Sequence, residues 1–206
     1  IMQDSGQALL AVDRKVGDMS PEGIEILAKI LVMMGIVSSM RFGTAPISGF
    51  DHMISHALDF EGLATGRKLS LHGAQVGLGA AYASVAYQQF ISEFSLDKID
   101  VNLCYPSEKT AHDEVVSRFG HIDSDGKSVK EIWTHYKEKL TLWHQKRSLF
   151  EKFLKSWNKT GGPRDQISAK LTPAEKIIEA LHHSGNPTLP EELTPPISAE
   201  QMKFAF

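Results

Sequence analysis

The sequence predicts an all-α fold. Three observations carry that expectation. Apolar residues recur at three- and four-residue spacing along most of the chain, the signature of helices with one buried face. Ser20-Pro21-Glu22 and Thr172-Pro173-Ala174-Glu175 read as helix starts, with a hydroxyl cap and a proline where no amide donor is missed. No segment alternates as a strand does. No G-x-G-x-x-G follows a strand, no P-loop is present and no internal repeat is visible.

The first element is expected over Asp4–Asp13, a short helix with Leu9, Leu10 and Val12 turned inward. After Ser20 the run GIEILAKILVMMGIVSSM is apolar on nearly all sides, which predicts a buried central helix with Met33 and Met34 as core filler. Phe42 to Gly49 holds two glycines and a proline and reads as a loop. Ser48 is the expected cap of the next helix, with Asp51 in the acidic capping-box position and an end between Phe60 and Gly62. Leu71 to Phe94 follows as a helix whose first half is crowded with Gly73, Ala74, Gly77, Gly79, Ala80, Ala81, Ala83 and Ala86. Each glycine costs a helix about 1 kcal/mol against alanine, so this crowding predicts tight packing against a neighbouring backbone.

Further on, Ser107 to Phe119 is an expected helix with His112 at its surface, and DSDG at 123–126 is a turn. Val129 to Trp157 reads as one or two long amphipathic helices, with Ile132, Trp133, Tyr136, Leu140, Trp143, Leu149, Phe150 and Phe153 on the apolar face. Another helix is expected from Thr172 toward Gly185. The tail from Asn186 to Pro196, with four prolines, reads as an extended wrap before a last helix after Ser198.

Composition narrows the functional classes. At 206 residues, with 42% apolar and 23% charged side chains, the chain suits one compact domain with a real core. A formal charge of −3 makes no electrostatic case for nucleic acid or an anionic membrane. The longest apolar run, Ile30–Val37, falls short of the ~20 residues a membrane span needs. Cys104 has no partner for an internal disulfide, which points to a reducing, cytoplasmic setting.

Chemistry gathers in Ser48–Gly79. His52 and His56 stand four apart, so on a helix they are offset by only about 40°. His72 follows with Gly73 at the head of the next helix. Imidazoles converging from two elements suit a zinc-like ion, which needs three or four such donors. The same spacing also suits two helices that each carry a core or capping histidine. Arg67 and Lys68 between them are either solvated charges or cations that hold an anionic substrate.

SGFDHMISHALD and LHGAQVGLG resemble the metal-binding core of sn-glycerol-1-phosphate dehydrogenases, whose patterns run close to SGSEHxxSH and HGxxVG. Those enzymes belong to the dehydroquinate synthase-like group, together with glycerol dehydrogenases and iron-containing alcohol dehydrogenases. RFGTAPISG, the W-x-x-Y-x-x-K-L-x-x-W run from Trp133 to Trp143, and LTPAEKIIEALHHSGNP are also similar to the family's C-terminal half. The resemblance implies the helical C-terminal domain of that fold over residues 1–206, a fragment without the N-terminal domain that binds NAD(H) or NADP(H). It implies a divalent metal (zinc first, with nickel or iron compatible) held by His52, His72 and an aspartate from upstream. It places His56 in the active site beside the metal. The implied substrates are dihydroxyacetone phosphate and sn-glycerol 1-phosphate, with no nucleic-acid or membrane partner; a homo-oligomer is compatible with this reading.

The chain departs from the family pattern in places. Phe50-Asp51 stand where the family has Ser-Glu, and Ala74 where it often has Glu. The aspartate ligand is not identifiable: the only upstream Gly-Asp pair, Gly17-Asp18, has the wrong sequel. The chain also opens on Ile1 rather than methionine, so a longer parent is expected and the fragment alone should be inactive. Two alternatives stand beside this reading. One is a dehydroquinate synthase-like lyase or another polyol dehydrogenase of the group. The other is a non-enzymatic helical interaction or metal-binding module.

Overall fold

The computed structural model describes residues 2–40, 48–95 and 99–206. Most of the expected Phe42–Gly49 loop, and most of RFGTAPISG with it, therefore lies outside the described residues. The described residues form helices joined by turns, and no strand occurs among them. The helices are α1 (Met2–Leu10), α2 (Asp13–Gly17), α3 (Pro21–Met40), α4 (Phe50–Thr65), α5 (His72–Glu93), α6 (Glu108–Phe119), α7 (Lys127–Gln145), α8 (Arg147–Ser156), α9 (Pro163–Ser168), α10 (Ala174–His183) and α11 (Ala199–Ala205). Two compact units result: Ile1–Gln89 with Lys170–Phe206, and Phe90–Ala169.

In the first unit the core is built from Ile54 and Leu58 of α4, Leu78 of α5, Leu193 and Ile197 of the proline-rich tail, and Met202 and Ala205 of α11. Ser198 caps α11 in a reciprocal capping box with Gln201, as Ser-x-x-Gln favours. Gln201 Nε2 then donates to Glu61 of α4 at 3.0 and 3.1 Å. Ser70 donates to the carbonyl of Pro195 at 2.8 Å, and Ser84 to that of Thr172 at 2.6 Å. The tail is thus a wrap, as its prolines indicate, and it closes the core over α4.

Four local expectations change. The expected buried helix α3 is mostly exposed: among its described residues only Gly23 is buried, while Leu31, Val32 and Met40 are 63%, 62% and 74% accessible. An all-round apolar sequence reports composition, not neighbours, and α1 and α2 meet this helix without enclosing it. At 20 residues α3 is also long and apolar enough to cross a membrane by length and composition, although no single apolar run within it is. Ser48 does not cap α4; Gly49 does so with no side-chain hydrogen bond. The helix also runs past Gly62 to Thr65. Its stop is Gly66, at φ 73°, with Arg67 N–H donating to Gly62 O at 2.8 Å in a Schellman-like turn. Finally, α10 starts after Pro173 without a side-chain cap.

The second unit has an aromatic centre. Trp157 is fully buried, with the rings of Phe90, Phe94 and Phe153 at 5.5, 5.0 and 5.5 Å. Tyr105 stacks on Trp143 at 5.1 Å, and the Arg147 guanidinium lies over the Tyr105 ring, 4.9 Å from its centroid. The expected long amphipathic stretch is two helices, broken at Lys146. Leu149 and Tyr136 of its apolar face remain exposed. His112 is half-buried, edge-on to Trp133 at 4.9 Å.

A charged contact ties the two ends of the first unit together. Asp13 Oδ2 lies 2.9 Å from His183 Nδ1, and Arg14 contacts His183 Nε2 at 2.6 Å. Guanidinium only donates, so Nε2 holds the lone pair and Nδ1–H is donated to Asp13. That bond holds the Asp13 carboxyl below its usual range. A lowered carboxyl stabilises the fold above its unfolded pKa and loses the contribution as pH falls through the folded one. Asp13→Asn should therefore lower the melting temperature at pH 7, and the gap to the parent chain should close below about pH 4. Melting curves across that range check it.

Candidate metal centre

The geometry begins at Gly79. A Cβ built there would lie 2.8 Å from the Asp51 carbonyl oxygen and 3.4 Å from Asp51 Cα, so α5 touches the backbone of α4's first turn. This is the close approach that the small residues of α5 predict. It brings His52 and His56, one turn apart on α4, up to His72 at the first position of α5.

The three imidazoles form a triangle. Ring centroids are 6.3 Å apart for His52 and His56, 5.5 Å for His52 and His72, and 5.3 Å for His56 and His72. Asp59, one turn beyond His56, completes the group. One ligand-type atom from each of His56, Asp59 and His72 lies within 4.8 Å of the others. His56 and His72 are exposed, so the cluster opens to solvent.

Each outer histidine faces a carboxylate. Asp51 Oδ2 lies 3.5 Å from His52 Nδ1, and Asp59 Oδ2 lies 3.6 Å from His72 Nδ1. Ser55, fully buried, contacts His72 Nδ1 at 3.0 Å and donates to Gln75 Oε1 at 2.6 Å. Two atoms of metal-ligating type are buried here without a hydrogen-bond partner: Nδ1 of His52 and Oδ1 of Asp59. Unpaired buried polar atoms are costly, and imidazole nitrogen with carboxylate oxygen is the donor set a zinc-like divalent cation takes. The residues present fit such an ion.

The residues expected from the sequence fall into two groups. His52, His56 and His72 meet. Arg67 does not reach outward: its guanidinium donates to Glu61 at 2.7 and 3.1 Å, to Leu58 O at 2.9 Å and to Lys68 O at 3.2 Å. It clips the C-terminal end of α4. Lys68 is exposed. Asp59, Ser55 and Gln75 were not expected. Their signal is spacing: Asp59 follows His56 by three residues and Gln75 follows His72 by three, each pair on one helical face.

Comparison with known proteins adds a partial likeness. Over 75 residues the chain is 35% identical to the glycerol-1-phosphate dehydrogenase [NAD(P)+] of Staphylothermus marinus, covering 36% of this chain and 20% of the relative. Over 82 residues it is 33% identical to that of Bacillus licheniformis, covering 39% and 20%. Over 58 residues it is 41% identical to that of Korarchaeum cryptofilum, covering 28% and 18%. The chain resembles the glycerol-1-phosphate dehydrogenases. The matched stretches span about a fifth of the length of these curated relatives. No protein-family model matches the chain, and no solved structure matches it significantly.

Because the α4–α5 contact is backbone against a bare Cα, it has no slack. Gly79→Ala should push the two helices apart. Stability should fall by about 1–3 kcal/mol, as overpacking does, while zinc affinity drops by about tenfold or more as the histidines separate. Thermal melts beside a zinc titration check both. Unchanged zinc affinity in a destabilised variant would break the link between this contact and the site.

Proposed function

We propose that these 206 residues are the helical metal- and substrate-binding part of an NAD(P)-dependent glycerol-1-phosphate dehydrogenase, interconverting dihydroxyacetone phosphate and sn-glycerol 1-phosphate. The convergence of His52, His56 and His72 from two helices carries the reading, and the similarity to the curated dehydrogenases supports it. The hydride carrier binds outside these residues, so the chain alone is inactive. The setting is cytoplasmic.

In this reading His52 and His72 hold a divalent ion, zinc first. When bound, the ion supplies Lewis acidity toward the substrate's hydroxyl and carbonyl oxygens. His56, exposed and 5.3 Å from His72 by ring centroids, faces the same opening. As a neutral base it takes the proton of the substrate hydroxyl when the alcohol is oxidised, and returns it in reduction. Lys68 offers its ammonium to the substrate phosphate. Arg67, committed to Glu61 and Leu58, contributes by shaping the turn that presents Lys68.

The grouping of His56, Asp59 and His72 favours a second ligand set, in which Asp59 supplies the carboxylate and His56 binds rather than relays. Metal content separates the two. In the first, His52→Ala and His72→Ala each lose the metal, whereas His56→Ala keeps it and, in the full dehydrogenase, loses turnover by about 10²–10⁴-fold. In the second, His56→Ala and Asp59→Asn lose the metal and His52→Ala keeps it. Metal per chain, measured with melting temperature on all four variants, decides. If all four only lower stability and none changes metal content, the histidines are structural and the enzymatic reading falls.

A further inference from the structure

Ser55 is an unusual neighbour for an exposed metal-type histidine. It is fully buried, and Gln75 behind it is 1% exposed, so neither group has bulk water as a partner. Ser55 donates its one hydroxyl proton to Gln75 Oε1 at 2.6 Å. A serine hydroxyl has no second proton to give. In its other contact, 3.0 Å from His72 Nδ1, Ser55 therefore accepts, and the ring nitrogen donates. Asp59 Oδ2, 3.6 Å from the same nitrogen, favours the proton there too, because an ionised carboxylate only accepts.

We propose that Ser55, braced by Gln75, is a positioning residue that holds His72 as its Nδ1–H tautomer and so leaves Nε2 as the nitrogen that binds metal. A neutral imidazole has one N–H and one lone pair, and the hydrogen bond at one nitrogen decides which is which. A metal-ligating histidine usually donates its other N–H to a fixed acceptor, and losing that acceptor typically costs 10–100-fold in metal affinity. The proposal rests on the metal-binding reading above, but the tautomer can be tested apart from it. The competing arrangement turns the Gln75 amide over, so that Nε2–H of Gln75 donates to Ser55. The hydroxyl proton would then go to His72 Nδ1, and the ring proton would sit on Nε2.

The test uses the ¹⁵N-labelled 206-residue chain, metal-free at about pH 8, where an ordinary imidazole is neutral. Long-range ¹H–¹⁵N correlations of the His72 ring should show the Nδ1–H pattern. Ser55→Ala should shift that ring toward a mixture of tautomers, and Ser55→Thr should restore the parent pattern. In a titration with Zn²⁺ alone, Ser55→Ala should bind about 10–100-fold more weakly and Ser55→Thr near the parent value. An Nε2–H pattern in the parent chain overturns the proposal, as does a Ser55→Ala ring that keeps the Nδ1–H pattern unchanged. If Ser55→Ala does not fold, the parent spectrum and Ser55→Thr still decide. If the parent chain binds no zinc, the metal reading fails while the ring spectrum still settles the role of Ser55.

Discussion

The contact between Gly79 and the backbone of Asp51 is the constraint on which the site depends. A helix pair held apart by ordinary side chains keeps its axes 8–10 Å apart. Removing the Cβ at the crossing lets α5 rest on the first turn of α4. His72 then reaches the two histidines of α4, and on the other side of the pair Leu78 meets Ile54 and Leu58. Site and core are two faces of one crossing, which is why the glycines and alanines of α5 are tolerated despite their cost in helix propensity.

Polar groups then orient what the crossing brings together. Ser55 and Gln75 are buried beside aliphatic residues, where an unpaired hydroxyl or amide would cost a few kcal/mol. The Ser55 hydroxyl is bonded to Gln75 Oε1 and to His72 instead, while Nε2 of Gln75 is left buried without a hydrogen-bond partner. His183 is held by the same logic in another place: Arg14 takes one nitrogen and Asp13 the other. At His183 neighbours of fixed character, a guanidinium and a carboxylate, set the tautomer of the ring. Arg67 shows the converse for charge. It reads as a free cation in sequence, but the open carbonyls at the end of α4 and the Glu61 carboxylate use its donors.

Much of this was legible in the sequence. Helical periodicity gave the all-α class, and the i, i+4 spacing placed His52 and His56 on one face. The crowding of small residues announced the tight partner of α5. What failed did so for physical reasons. The exposure of α3 was hidden because hydrophobicity records what a helix would bury, not whether anything arrives to cover it. The cap of α4 was misplaced by one residue because serine and glycine both serve there, and only backbone geometry separates them. Asp59, Ser55 and Gln75 were missed because polar residues on a helix normally read as its solvated face. Which of them turn inward is set by the crossing angle, a property of two helices together.

One feature of the core bears on how the chain is made. The helix that carries His52 and His56 is closed by Leu193, Ile197, Met202 and Ala205, which lie more than 130 residues downstream of the Ile54 and Leu58 they cover. Contacts that distant in sequence form late, after a large loop-closure entropy has been overcome. During synthesis Ile54 and Leu58 therefore emerge long before the segment that covers them exists. The exposed interval is set by the ribosome, at about 5–20 residues per second, rather than by the helix pair itself. The fold thus leaves its histidine helix partly uncovered until that distant segment has been made.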